Sequence, residues 1–192
     1  MPNIRSFIAI ELAPPIQQIL EETITALKKF DLNSVRWVPV HNIHLTLKFL
    51  GDTPEAKIPA IKQVLQTITQ NYSPFEIEIA TIGAFPNLRH PRVVWVGIKN
   101  QPILTSLQST IETMICPLGF PKEERAFSPH LTLGRNKETA DTIQNQRIGH
   151  AITAAPSFPP QSMIVDKVTL FKSDLRPSGS IYTPLFSTSL IK

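Results

Sequence analysis

The tetrapeptide His-Leu-Thr-Leu occurs twice in this 192-residue chain, at positions 44–47 and again at 130–133. Each copy alternates polar and apolar residues. On a β-strand its histidine and threonine, two apart, share one face and its leucines share the other. Two such strands side by side gather two imidazoles, His44 and His130, and two hydroxyls, Thr46 and Thr132. An imidazole exchanges a proton near neutral pH, because its unperturbed pKa is about 6.5. The set suits displacement at a phosphodiester, which needs a base for the attacking water, an acid for the leaving oxygen and donors for the non-bridging oxygens. In-line geometry puts the two ring nitrogens about 6–8 Å apart, each in hydrogen-bond reach of one apical oxygen. One histidine is then charged and the other neutral.

The elements that must position these residues follow from pattern. Phe7 to Leu12 reads as a buried strand, and Pro14-Pro15 opens a helix running to about Phe30. Arg36-Trp37-Val38 leads through Pro39 into the first motif strand, Ile43 to Leu50, with Gly51-Asp52 as its expected end. Pro54 starts a second helix whose apolar face carries Ile58, Ile61, Val64, Leu65 and Ile68. A half-exposed strand at Phe75–Ile82 and a buried one at Val93–Val96 precede a helix from Pro102 to Leu118, capped by Gly119. The second motif strand follows Pro129, and a polar helical segment covers Lys137 to Gly149. A loop around 156–160, a strand from Met163 to Phe171, a turn at 176–179 and a last strand from Ile181 to Phe186 complete the chain. The expected fold class is α+β: two pseudo-symmetric lobes, each an antiparallel sheet with helices on its outer face, around a central cleft carrying the two motif strands. Residues 1–192 are expected to form a single bilobal domain.

Bulk properties narrow the function. The single cysteine, Cys116, cannot form an internal disulfide, and it reads as a small core hydrophobe. The formal net charge of +4 is compatible with a polyanionic partner, though no Lys/Arg block stands out. The N-terminus lacks the features of a signal peptide and no apolar run approaches the roughly 20 residues that span a bilayer, so a cytoplasmic protein without a membrane partner is expected. A zinc site would want a third ligand, and nothing acidic follows the second motif as Asp52 follows the first, so no metal is expected. Phosphate-binding glycine loops are missing, so no cofactor is expected either. His41 and His90 read as loop residues, and His150 belongs to no motif and is assigned no role.

The paired motifs closely resemble those of the 2H phosphoesterases, and among them the RNA 2′,3′-cyclic phosphodiesterases, also called 2′-5′ RNA ligase-like proteins. The flanking segments carry the resemblance along nearly the whole chain. They include Phe7-Ile8-Ala9-Ile10-Glu11-Leu12, Arg36-Trp37-Val38-Pro39, Pro91-Arg92-Val93-Val94-Trp95, Phe127-Ser128-Pro129 and Leu175-Arg176-Pro177-Ser178-Gly179. The resemblance implies hydrolysis of an RNA terminal 2′,3′-cyclic phosphate to a 2′-phosphate. It implies His44 as proton donor, His130 as proton acceptor, and Thr46 and Thr132 as phosphate binders. It also implies an aromatic residue that stacks on the terminal base, Phe49, and a phosphate-binding arginine, Arg135. Each stands five residues after its histidine. Strict alternation sends position +5 to the wrong face, so both reach the site only if the strands bend, bulge or end near Leu50 and Gly134. The expected partner is an RNA or oligonucleotide with a 2′,3′-cyclic phosphate end. A monomer without an obligate protein partner is expected, because one chain completes the cleft. Two rivals stand beside hydrolysis: 2′-5′ RNA ligation through the same site, and a non-catalytic RNA-end binding module.

Overall fold

The structure is a computed structural model that describes residues 2–155, 161–177 and 179–192. The loop expected around 156–160 lies outside the described residues, as does Ser178 of the expected turn. Among the described residues, nine strands and four helices form an α+β arrangement. The strands are β1 (Asn3–Ile10), β2 (Val35–Trp37), β3 (Leu45–Pro54), β4 (Phe75–Phe85), β5 (Val93–Ile98), β6 (His130–Asn136), β7 (Ser162–Val165), β8 (Lys167–Arg176) and β9 (Gly179–Ser189). The helices are α1 (Pro14–Lys28), α2 (Ile58–Thr69), α3 (Pro102–Ile115) and α4 (Thr142–Ala154).

All strand pairs are antiparallel, in the order β7-β4-β5-β6-β3-β1-β8-β9, with β2 on β6. The two motif strands, β3 and β6, stand at the centre. A single ladder pair, Leu45 with Leu131, joins them. The sheet is therefore two halves pinched together at the motifs: four strands, β3-β1-β8-β9, and five, β6-β5-β4-β7 with β2 on β6. Helices α2 and α3 pack on the first half and α4 on the second. One apolar cluster runs beneath both, from Ile8 and Leu170 through Leu45 and Leu131 to Val94 and Ile148.

Several elements differ from the sequence expectation for local reasons. Gly51 does not end the first motif strand. Its φ of +67° lies in the left-handed region, and it sits where the β1–β3 register slips, so a turn signal is used here as a bulge. The expected strand Met163–Phe171 is split at Asp166. Its first part, β7, pairs with β4 in one half-sheet, and its second, β8, pairs with β1 in the other. Helix α4 starts at Thr142, because Asp141 and Gln144 form a capping box there. β2 is an added strand that pattern alone did not reveal, three residues long and held by β6.

The candidate active site

Leu45 and Leu131 are buried, so the residues on either side of each face the opposite surface. Extending the β3–β6 register by one residue each way sets His44 opposite Thr132 and Thr46 opposite His130. The two histidines are then diagonal neighbours, about 7–8 Å apart at the usual spacing of antiparallel strands. That matches in scale the interval in-line displacement requires. All four residues line one cleft of about 390 Å³, together with Phe49 and Arg135. The cleft thus brings together every residue singled out from sequence.

Phe49 and Arg135 reach the cleft through two bulges at equivalent places. Along β3, Ile8 pairs with Lys48 but Ala9 pairs with Thr46, leaving Leu47 as an extra residue. Along β6, Val94 pairs with Gly134 but Trp95 pairs with Thr132, leaving Leu133 as an extra residue. The last leucine of each tetrapeptide is therefore the bulge. Each bulge reverses the alternation: Leu47 and Lys48 are both buried, as are Leu133 and Gly134, and the next residue turns outward. Phe49 is 56% exposed at the cleft, and Arg135 is exposed beside it. The bulges that turn Phe49 and Arg135 outward fall at Leu47 and Leu133, and β3 carries a second one at Leu50, the place expected from sequence, between the Phe7–Phe49 and Ser6–Gly51 pairs.

The residue that each bulge turns inward is handled differently in the two copies. Lys48 is 2% exposed. Its ammonium contacts Glu112 of α3 at 2.5 Å and donates to the Pro121 carbonyl at 2.8 Å. Gln108, one turn before Glu112, donates to the Leu47 carbonyl at 3.3 Å, so α3 holds the bulge itself. In the second copy the inward residue is Gly134. A Cβ there would stand 2.7 Å from Val35 Cγ1 and 3.2 Å from the Arg36 carbonyl, so the glycine is what lets β2 lie close.

Each histidine is fixed in the same way. His44 Nδ1 lies 2.8 Å from the Asn42 carbonyl and His130 Nδ1 lies 2.7 Å from the Ser128 carbonyl, in both cases two residues upstream. A carbonyl only accepts, so Nδ1 carries the hydrogen in each ring and Nε2 is left to exchange protons. Asn42 is in turn tied to β9, its side-chain amide donating to the Ser180 carbonyl at 2.8 Å. Aromatic rings enclose both imidazoles. Phe7 stacks on His44 at 4.6 Å and Tyr182 meets it edge-on at 5.1 Å, while Phe85 meets His130 edge-on at 4.9 Å. Burial pushes His44 below the ordinary histidine value, against the Asn42 carbonyl, which favours the charged ring. Sequence reasoning missed Asn42, Tyr182 and the Lys48–Glu112–Gln108 set. Among them only Lys48, a lysine inside an apolar strand, carried a signal.

Among the described residues the charged side chains lining the cleft are Arg5 and Arg135, and no carboxylate joins them. No three His, Cys, Asp or Glu side chains among the described residues gather into a metal-binding set. No helix among them is long and apolar enough to cross a membrane.

A sheet pinched at two histidine-bearing strands is a scaffold this chain shares with a solved phosphoesterase, matched with a TM-score of 0.76 at 28% identity and covering 99% of each chain. The chain belongs to the 2′-5′ RNA ligase superfamily, whose family model matches residues 11–177. It is an enzyme of the hydrolase class, a phosphodiesterase. It is 35% identical over 192 residues to the RNA 2′,3′-cyclic phosphodiesterase of Methanothermobacter thermautotrophicus, covering 95% of this chain and 97% of that one. The Archaeoglobus fulgidus protein of the same name is 34% identical, with 94% and 97% covered. Among solved structures, a protein of Thermus thermophilus matches with a TM-score of 0.82 at 27% identity, covering 97% of this chain and 98% of that one. E. coli LigT complexed with 3′-AMP matches with a TM-score of 0.75 at 28% identity, covering 99% of each chain.

Proposed function

We propose that the protein hydrolyses the 2′,3′-cyclic phosphate at the end of an RNA to a 2′-phosphate, using His130 as base and His44 as acid. The observation that carries this reading is the matched anchoring of the two imidazoles, Nδ1 to a carbonyl two residues upstream, in a cleft lined by two arginines. Neutral His130 takes a proton from water as the water attacks phosphorus. His44 gives its proton to the departing 3′ oxygen on the opposite side. Thr46 and Thr132 donate to the non-bridging oxygens, and Arg135 balances the charge that builds there. Phe49 offers its exposed ring to the terminal base. The names of the relatives and the 3′-AMP complex of E. coli LigT support a nucleotide substrate phosphorylated on its ribose. The Nδ1 anchors let both proton transfers run without a metal: each ring is already oriented with one nitrogen committed to exchange.

The test is a product assay on a short RNA ending in 2′,3′-cyclic phosphate, run in EDTA. The wild type is expected to yield only a 2′-phosphate end. His44→Ala and His130→Ala are each expected to lose several orders of magnitude in rate while keeping the wild-type circular dichroism spectrum. A folded His130→Ala protein that turns over normally overturns the mechanism. Accumulation of a 2′-5′ joined product with a 5′-hydroxyl RNA present would instead favour ligation through the same site.

A further inference from the structure

The cleft extends beyond what the reacting phosphate occupies. On one face of β1 stand Ala9, Phe7 and Arg5, of which Phe7 and Arg5 line the cleft. Ala9 pairs with Thr46, Phe7 with Phe49 and Arg5 with Asp52. Arg5 therefore stands past Phe49, four residues further along β1 than the strand position beside Thr46. At the usual strand rise that is about 13 Å, more than the reach needed to touch the reacting phosphate but close to one nucleotide away once the side chain folds back.

Arg5 lines the cleft, is exposed, and forms no ion pair among the described residues. Asp52, its register partner, does not pair with it and does not line the cleft. Two serines, Ser173 and Ser180, face the same space. A second groove leaves Phe49 in another direction, but Glu123 and Glu124 line it beside Lys122 and Arg125, which does not suit a phosphate chain. An unpaired guanidinium at the end of a cleft that no described carboxylate lines is suited to holding a phosphate.

We infer that Arg5 binds the phosphodiester on the 5′ side of the terminal nucleotide, making it the residue by which the enzyme prefers an oligonucleotide end over a free cyclic nucleotide. The inference rests on the proposed orientation of the substrate, with the cyclic phosphate at the histidines and the terminal base on Phe49.

The experiment compares a nucleoside 2′,3′-cyclic phosphate with a dinucleotide ending in the same group, for wild type, Arg5→Gln and Arg5→Lys. Titration calorimetry with the corresponding 2′-phosphate products runs beside the kinetics. Arg5→Gln is expected to lose about tenfold or more on the dinucleotide relative to the mononucleotide, the scale of one charge-assisted hydrogen bond. Arg5→Lys is expected to recover part of it. Rising salt should weaken the dinucleotide more than the mononucleotide in the wild type, and this excess should vanish in Arg5→Gln. Equal losses on both ligands, or none on either, overturn the inference. If the wild type turns over neither cyclic phosphate, the proposed reaction fails, and the calorimetric ratio alone still decides whether Arg5 reads the upstream phosphate.

Discussion

At the residue scale, the two histidines are twins in their anchoring and unlike in their surroundings. His44 sits between Phe7 and Tyr182, and the loss of water there is what favours its neutral form. A proton donor must be charged, so the part of kcat/KM that depends on His44 should fall as pH rises through a value below 6.5. Tyr182→Ala, which readmits water, is expected to move that descending limb upward; an unmoved limb would detach it from His44. Stability follows the same shift. The folded protein holds His44 neutral at pH values where the unfolded chain, at its ordinary 6.5, is already charged. The unfolded state binds more protons in that window, so this contribution is full above about pH 6.5 and lost as pH falls toward the lowered folded value. Thermal melts at about pH 7.5 and about pH 5.5 should show a steeper loss for wild type than for His44→Asn. The four motif residues were legible in sequence because period-two alternation alone puts them on one face. Asn42 was not, since its role depends on a 138-residue separation from Ser180.

At the element scale, the decisive device is the repeated bulge. Alternation predicts the wrong face for Phe49 and Arg135, and a bulge is an extra residue whose presence shows only in the partner strand's register. Nothing local in Leu47 or Leu133 announces it. Gly51 and Gly134 did mark the right neighbourhoods, one as a positive-φ position and the other as a close approach under β2. In the first copy the bulge depends on helix α3, through the Lys48–Glu112 pair and the Gln108 bond to the Leu47 carbonyl. Glu112→Ala strands a buried ammonium and is expected to cost about 3–5 kcal/mol by chemical denaturation. Replacing the pair together, Lys48→Met with Glu112→Leu, is expected to recover most of that stability. If the single change costs as little as an exposed ion pair, the buried pair does not support the bulge.

At the scale of the whole molecule, the lobes are not the two halves of the chain. Sequence placed one motif in each half, and the structure keeps that, but β1 from the start and β8 and β9 from the end build one half-sheet together. The break at Asp166 was invisible because strand-forming residues resume at once after it, and only the pairing partner differs. The core beneath is continuous, so we expect residues 1–192 to unfold as one unit. Trp37 and Trp95 both belong to the second half-sheet, on β2 and β5. Their fluorescence should therefore change at the same denaturant concentration as far-UV circular dichroism, which reports both halves. Two separated transitions would mean that the lobes are independent.

That interleaving has a consequence for a broken chain. The segment 121–126, between Phe120 and the second motif, is exposed. Cleavage there divides the protein into a piece carrying β1 to β5 and a piece carrying β6 to β9, and each owns strands on both sides of the cleft. Neither piece can leave without tearing two half-sheets at once. A protein nicked after Arg125 should elute intact from a sizing column, separate only in denaturant, and keep its two histidines facing one another.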